Sequence, residues 1–246
     1  MNYKDIEVYK ENKDIFFKDT TRKTLFHKFI KENIRFLRRF LPRKQVQIII
    51  SERIVEYPIL FQYLDLEGGD ILDFGCVESL LPVTLCALGF KVKGLDLRPY
   101  PFKHENFEFI QEDILNWQVP LETFDAVISI STIEHVGLSA YGDPKKEKGD
   151  KVATDKLLSA LKPGGRLYLT VPVGKSLIND RFRVYSPEDI RELVPNIKVL
   201  RFFSKPTLYS SGWSEIKEED VASIEYEDYN VPAPVQAVAF IIARKK

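Results

Sequence analysis

From residue 70 onward, short runs of apolar and β-branched residues alternate with stretches of helical periodicity. A chain written this way has few options. Strands joined through helical crossovers pair in parallel, and the helices must then cover both faces of the sheet. The pattern predicts seven strands: DILDFG (70–75), KVKGLDL (91–97), FEFIQED (107–113), DAVISI (125–130), GRLYLTVP (165–172), IKVLRFF (197–203) and AVAFIIARK (237–245).

The intervening stretches carry helix signals. Ser79 is placed to cap a helix over Leu80 to Leu88 that closes at Gly89, with Pro82 in its first turn. DKVATDKLLSALK (150–162) puts Ala153, Leu157, Leu158 and Leu161 on one face and stops at PGG. SPEDIRELV opens with Ser186 as cap, Pro187 at the first helical position and Asp189 three residues after the cap, the spacing of a capping box. Upstream, SERIVEYPILFQYL predicts a helix leading into the first strand. TLFHKFIKENIRFLRRFLPRK repeats Phe26, Phe29, Ile30, Ile34, Leu37 and Leu41 at helical spacing, with Arg35, Arg38, Arg39, Arg43 and Lys44 around them. Residues 1–64 are therefore expected to be a basic, amphipathic helical extension, and residues 65–246 an α/β domain of Rossmann-like type.

Charge narrows the function. The 36 basic and 36 acidic residues balance, but residues 1–56 hold 14 basic against 8 acidic, leaving 22 against 28 for the rest. The α/β domain lacks the basic surplus that phosphate neutralisation requires, so no nucleic-acid partner is expected. The N-terminal helix either packs on the domain or makes a peripheral contact with an anionic membrane or a protein partner. No apolar run approaches the ~18–20 residues that span a bilayer, and the charged start is unlike a signal peptide. The expected location is cytoplasmic, with the inner face of the membrane as the place of any peripheral contact. Cys76 and Cys86, with no CxxC spacing, read as free thiols.

The turn ILDFGCVESLLP (71–82) leads from the first strand into a helix with a single glycine, Gly75. A dinucleotide turn of the GxGxxG type needs a second glycine so that backbone can approach pyrophosphate. Here Val77 stands in that place, followed by Glu78 and Ser79, and a carboxylate there repels phosphate. Nicotinamide and flavin dinucleotides are disfavoured. S-adenosylmethionine, which carries no phosphate, suits the turn better. Asp96 at the end of the second strand is placed to accept hydrogen bonds from ribose hydroxyls, and Asp113 at the end of the third to accept the adenine amino group. An Asp at a strand end is by itself most often a turn residue. Three of them, Asp73, Asp96 and Asp113, at the carboxyl ends of successive strands point to the place where open α/β sheets bind ligands.

ILDFGC, GLDLRPYP, QEDIL, FDAVISISTIEHVGL and LKPGGRLYLTVP, in this order between about residues 70 and 172, resemble the class I S-adenosylmethionine-dependent methyltransferases. More narrowly, ERIVEYPIL, LDLRPYP, IEHVGLSAYGDP and the VPVGK to RVYSPEDI stretch resemble methyltransferase-domain proteins associated with glycan and surface-polysaccharide assembly. The resemblance implies a seven-stranded sheet of order 3-2-1-4-5-7-6 with the last strand antiparallel, and an O-methyltransferase acting on a sugar or glycan hydroxyl. Methylation of another small-molecule hydroxyl or of an amine, and a non-catalytic docking subunit of the same fold, are the competing readings. By resemblance, Asp73 and Gly75 shape the methionine end, Asp113 with Ile114 borders the adenine, and Ser131 sits near the methionyl amino group. Cys76 and Leu97 complete the expected cofactor-binding set beside Asp96.

Methyl transfer to a hydroxyl needs an aligned acceptor and a proton acceptor. The loop STIEHVGLSAYGDP follows the fourth strand, and His135, one of three histidines, is the base expected there. Fixing the loop or touching the cofactor is the competing role for it. Glu134 is expected to orient the imidazole or contact the cofactor, and Tyr141 and Asp143 to line the acceptor pocket. Arg183 and Tyr185 either hold a polar acceptor or form a loop salt bridge. Asp143, Asp150 and Asp180 have no spacing that marks metal ligands, and no metal is assigned. In the long segment 204–236, Tyr209, Trp213 and Tyr229 either stack on a sugar ring or anchor the loop.

Overall fold

Side chains on a strand alternate between the faces of its sheet, so a sheet covered on both sides is built from runs that are apolar at every position. In the structure, a computed structural model, the strands at 70–74, 124–130 and 237–244 are buried at all but one position each, while those at 91–96, 107–111 and 197–204 keep exposed or half-buried residues. The structure describes residues 51–77, 79–142, 144–206, 212–226 and 235–246. The chain divides into two units, residues 1–48 with 101–103 and residues 49–100 with 104–246. The second unit contains the sheet and its helices. The expected amphipathic helix at 24–44 lies outside the described residues, as do Glu78, Asp143, Tyr209 and Tyr229.

The main sheet contains β1 (Asp70–Phe74), β2 (Lys91–Asp96), β3 (Phe107–Gln111), β4 (Phe124–Ile130) and β5 (Leu161–Pro172) as parallel neighbours in the order 3-2-1-4-5. A two-stranded ribbon of β6 (Leu177–Ile178) and β7 (Arg183–Val184) follows. The main sheet continues with β8 (Ile197–Ser204), β9 (Ser214–Ile216) and β10 (Ala237–Arg244). β10 runs antiparallel between β5 and β8. The seven expected strands therefore stand in the expected order, and β9 adds an eighth at the edge by pairing with β8. β9 falls in the segment expected to be a long loop, and a short helix, α5 (Glu218–Val221), follows it.

The pleat divides the core in two. Leu72, Val127, Leu167 and Leu169 face one side, against helix α3 (Gly149–Ala160) and helix α4 (Pro187–Leu193). Ile71, Ala126, Ile128, Tyr168 and Phe240 face the other, against helix α1 (Arg53–Tyr63) and helix α2 (Leu81–Ala87). At ~25 cal/mol per Å² of apolar surface, two such layers on one sheet are the main favourable contribution to folding.

The helix ends show where local signals held. The capping box at α4 forms: Ser186 Oγ accepts from Asp189 N–H at 3.1 Å, and the Asp189 carboxylate accepts from Ser186 N–H at 2.8 Å. At α2 the expectation is corrected. The helix begins at Leu81, with Leu80 in the cap position. Ser79 Oγ accepts from Leu81 N–H at 2.9 Å while it hydrogen-bonds Tyr57 Oη at 2.9 Å, so its hydroxyl ties α1 to the turn. PGG, expected as a stop before the fifth strand, lies inside β5, which starts at Leu161 and passes through Gly164 at φ +79°.

Candidate functional site

The parallel strands end on one side of the sheet, and the turns leaving β1, β2, β3 and β4 form a cleft of about 230 Å³ there. Strand order dictates this, since β1 and β4 are neighbours whose connections leave in opposite directions, which opens a crevice at their carboxyl ends.

Gly75 leaves β1 at φ +79°, a conformation that costs an L residue strain, and a Cβ there would overlap the Thr132 side chain. The close approach of the turns after β1 and β4 therefore requires a glycine. Two residues on, Val77 donates its N–H to Asp96 Oδ2 at 2.9 Å, and Arg98 N–H donates to Asp96 Oδ1 at 3.0 Å. The buried carboxylate of Asp96 thus sets the turns after β1 and β2 in register. Each oxygen keeps further acceptor capacity, since a carboxylate offers about four lone-pair sites.

Asp113 is buried beyond β3. Its Oδ1 accepts from Leu115 N–H at 2.9 Å, and its Oδ2 has no hydrogen-bond partner. The turn that holds it is clamped by Lys156 of α3, whose Nζ donates to the carbonyls of Ile114, Leu115 and Trp117 at 2.8, 2.8 and 2.9 Å. Asp73 is also buried, with Oδ2 unpartnered. Burial pushes its carboxyl up to about 7, against the pull of the Arg53 cation and with a push from the Asp96 charge. Unpaired buried acceptors are costly and need an explanation. For Asp73 the raised carboxyl supplies part of one, since its protonated form carries no unpaired charge.

Of the expected cofactor set, Gly75, Asp96, Leu97, Asp113, Ile114 and Ser131 line the cleft together. Asp73 lies behind it, next to Phe74 and Gly75, which do line it. Cys76 is 1% exposed and packs beside Gly94, where its Sγ would stand 2.8 Å from an added Cβ. Ser131, at φ +46°, donates its hydroxyl to Glu56 Oε1 at 2.6 Å.

His135 and Tyr141 line the same cleft. His135 sits in a single 3-10 turn, Ile133–His135, and its Nδ1 lies 2.6 Å from the carbonyl oxygen of Arg181. A carbonyl only accepts, so this bond places a proton on Nδ1 and, in the neutral ring, the lone pair on Nε2. Tyr141 meets the imidazole edge to face at 5.2 Å, and the Arg98 guanidinium stands 4.7 Å from the tyrosine ring centre. Glu134 points away from solvent at 2% exposure, with Oε2 unpartnered and Oε1 3.8 Å from His135 Nε2. Burial pushes its carboxyl up to about 8, with the Glu56 charge adding to the push, which favours the neutral form at pH 7.

Sequence patterns missed the contribution of α1. Arg53 lines the cleft, held by Glu56 Oε2 at 2.7 Å, and Glu56 Oε1 also accepts from Thr170 Oγ1 at 2.6 Å. Arg53 and Glu56 are three apart on a helix, a spacing that marks an intrahelical pair and gives no hint of a cleft. Arg98 and Thr132 were missed as well. Arg183 and Tyr185 do not line this cleft. Arg183 pairs with Asp150 at 3.4 Å, and Tyr185 Oη donates to Asp150 Oδ2 at 3.0 Å. Trp213 packs against the core on the α1 face, with Lys205 Nζ 5.3 Å from its ring. Among the described residues, no group of three or more His, Cys, Asp or Glu is placed to hold a metal ion, and no helix is long and apolar enough to cross a membrane.

Residues 102–226, about half of the chain, match the family described as "Caenorhabditis protein of unknown function, DUF268". The chain is 30% identical over 167 residues to the mitochondrial ubiquinone biosynthesis O-methyltransferase of Dictyostelium discoideum; this spans 60% of the chain and 47% of the relative. It is 27% identical over 181 residues to the ubiquinone biosynthesis O-methyltransferase of Xanthomonas oryzae, spanning 68% of the chain and 70% of the relative. The chain therefore spans about half the length of the first relative. Its fold matches that of the Burkholderia thailandensis 1,6-didemethyltoxoflavin-N1-methyltransferase with bound S-adenosylhomocysteine. The TM-score is 0.53 at 14% identity, over 77% of this chain and 76% of that one. The architecture is that of the class I S-adenosylmethionine-dependent methyltransferases, as the order of motifs predicts.

Proposed function

The chain belongs to the DUF268 family, and from its fold and cleft we propose that it is an S-adenosylmethionine-dependent methyltransferase acting on a hydroxyl oxygen. The observation that carries this is the convergence, in one cleft, of the Gly75 turn and the carboxyls of Asp96 and Asp113. Asp96 receives the ribose hydroxyls, Asp113 Oδ2 the adenine amino group, and Arg53 the methionyl carboxylate. The negative potential of Asp73 favours the methionyl ammonium. When bound, the cofactor supplies an electrophilic methyl carbon on a sulfonium.

The chain's own residues do the rest. With the cofactor bound, His135 Nε2 would take the proton of the acceptor hydroxyl as that oxygen is methylated. Neutral Glu134 beside it avoids a fixed ion pair that would hold the imidazole protonated. Tyr141, between Arg98 and His135, flanks the acceptor.

The acceptor class is proposed on two grounds. The resemblance to glycan-associated proteins favours a sugar hydroxyl, and the relatives named for ubiquinone biosynthesis favour a phenolic one. A small-molecule or glycan acceptor in the cytoplasm, met with help from the basic residues of 24–44 at a membrane or a protein, fits the charge distribution.

Titration calorimetry with S-adenosylmethionine and S-adenosylhomocysteine tests the cofactor, with saturable binding expected for the wild type and lost in Asp96→Ala. No heat from folded protein would sink the reading. Release of S-adenosylhomocysteine in the presence of catechols or of sugar nucleotides then tests the acceptor. His135→Gln is expected to bind cofactor normally and to lose at least ~100-fold in kcat.

A further inference from the structure

Arg183 is a buried cation outside the cleft, and one of its guanidinium nitrogens donates to the turn that carries His135. Its side chain is 7% exposed, and its Nη1 donates to the carbonyl of Val136 at 2.8 Å and to that of Glu134 at 3.3 Å. These are the two carbonyls on either side of His135. Nε faces Asp150 Oδ2 at 3.4 Å, and that oxygen also accepts from Tyr185 Oη at 3.0 Å. Two residues before Arg183, the Arg181 carbonyl takes the His135 Nδ1 proton at 2.6 Å. One short segment, Arg181 to Tyr185, thus holds the His135 turn from both sides and its ring from Nδ1.

A single 3-10 turn has little rigidity of its own, because its hydrogen bonds are few and of poor geometry. A buried guanidinium costs several kcal/mol to desolvate unless its donors are used. Here Nη1 is spent on two main-chain oxygens at the proposed base, and Nε faces the Asp150 carboxylate. The register between Arg183 and Arg181 then fixes where the Arg181 carbonyl stands relative to the imidazole. We propose that Arg183, anchored by Asp150, is a positioning residue that selects the Nδ1–H tautomer of His135 and so keeps the basic lone pair on Nε2. The inference deepens the proposed role of His135 and rests on it for its catalytic consequence. The tautomer itself is independent of any reaction.

The test is a long-range proton–nitrogen correlation spectrum of the full chain labelled with ¹⁵N-histidine, at about pH 8.5, above the ordinary imidazole pKa of ~6.5. The sequence has three histidines, so His135→Gln identifies the signals of interest. The wild type is expected to show a protonated Nδ1 and an unprotonated Nε2 at His135. Arg183→Met is expected to show the averaged pattern of a ring exchanging between tautomers, with Arg183→Lys intermediate. With an acceptor in hand, Arg183→Met is expected to lower kcat about 10-fold or more and to leave the KM for cofactor within twofold. A wild-type His135 with its proton on Nε2 overturns the proposal, whether or not any variant folds. So does a folded Arg183→Met whose His135 pattern is that of the wild type. Absence of cofactor binding, by contrast, would defeat the methyltransferase reading and leave the tautomer result standing.

Discussion

Val77 donates its main-chain N–H to Asp96 Oδ2 at 2.9 Å, joining the turn after β1 to the end of β2. The residue that stands where a dinucleotide turn has its second glycine therefore serves through its backbone, which any side chain leaves intact. The same carboxylate holds Arg98 N–H. Removing it should therefore cost both the ribose contacts and the shape of two turns. With charge-assisted hydrogen bonds at ~1.5–3 kcal/mol each, Asp96→Ala is expected to raise the Kd for S-adenosylmethionine at least ~100-fold. Calorimetry would read it, and an unchanged Kd would remove Asp96 from the site.

Gly75→Ala should be more damaging than most glycine substitutions. It combines φ +79° with a Cβ that overlaps Thr132, so both backbone strain and steric clash oppose it. A loss of about 1–3 kcal/mol in denaturant unfolding is expected, with cofactor binding lost at temperatures where the variant is folded. Wild-type stability would show that the two turns separate freely.

Glu134 makes stability depend on pH. Its carboxyl stands at about 8 in the fold against an ordinary 4.5, because burial penalises the charged form. The unfolded chain therefore releases this proton before the folded protein does. The stability Glu134 confers is full below pH 4.5 and is lost as pH rises to about 8. Glu134→Gln, which mimics the neutral acid, is expected to flatten that decline and to be more stable than the wild type at pH 8 by up to ~4 kcal/mol. Parallel stability curves for the two proteins between pH 5 and pH 8 would refute it.

Asp73 should couple cofactor binding to pH. Its carboxyl stands at about 7, raised chiefly by burial, so it is mostly neutral at pH 6 and ionised at pH 8. A ligand bearing an ammonium and a sulfonium binds better to the ionised form. Affinity for S-adenosylmethionine is expected to rise severalfold from pH 6 to pH 8, and Asp73→Asn to bind more weakly with no such rise. A variant that keeps the slope would assign it elsewhere.

Lys156 is expected to act on the adenine end alone. Its ammonium closes three carbonyls of the turn carrying Asp113. Lys156→Met leaves those carbonyls short of a donor and lets Asp113 drift. A Kd for cofactor raised about 10-fold, with kcat at saturating cofactor near the wild-type value, is the expected result. A fall in kcat with unchanged Kd would contradict it.

The sequence was informative wherever a property is local or periodic. Alternating apolar runs separated by helical stretches implied a parallel sheet, and the capping box at Ser186 and Asp189 formed as its spacing predicts. Short-range rules failed where a longer contact competed. Ser79 Oγ hydrogen-bonds Tyr57 Oη, 22 positions away, as well as accepting from Leu81 N–H, and the cap position moved to Leu80. The strand Ser214–Ile216 was hidden because three residues carry almost no periodic signal, and its stability comes from pairing with β8.

By itself, then, the sequence determined where the seven strands lie, the turn at Gly75 and the acids at the ends of β1, β2 and β3; their order in the sheet was implied by the family resemblance. The positions follow from the period of the chain or from the chemistry of a single residue type. Only the tertiary structure decided what faces them. Arg53 entered the cleft from α1, Glu56 took the Ser131 hydroxyl 75 positions away, and Arg183 turned from the acceptor to the carbonyls around His135. The physical reason is that burial makes unpaired polar groups costly, and a buried group takes whichever partner packing brings within reach. That choice is settled by distance in space, which spacing along the chain does not record.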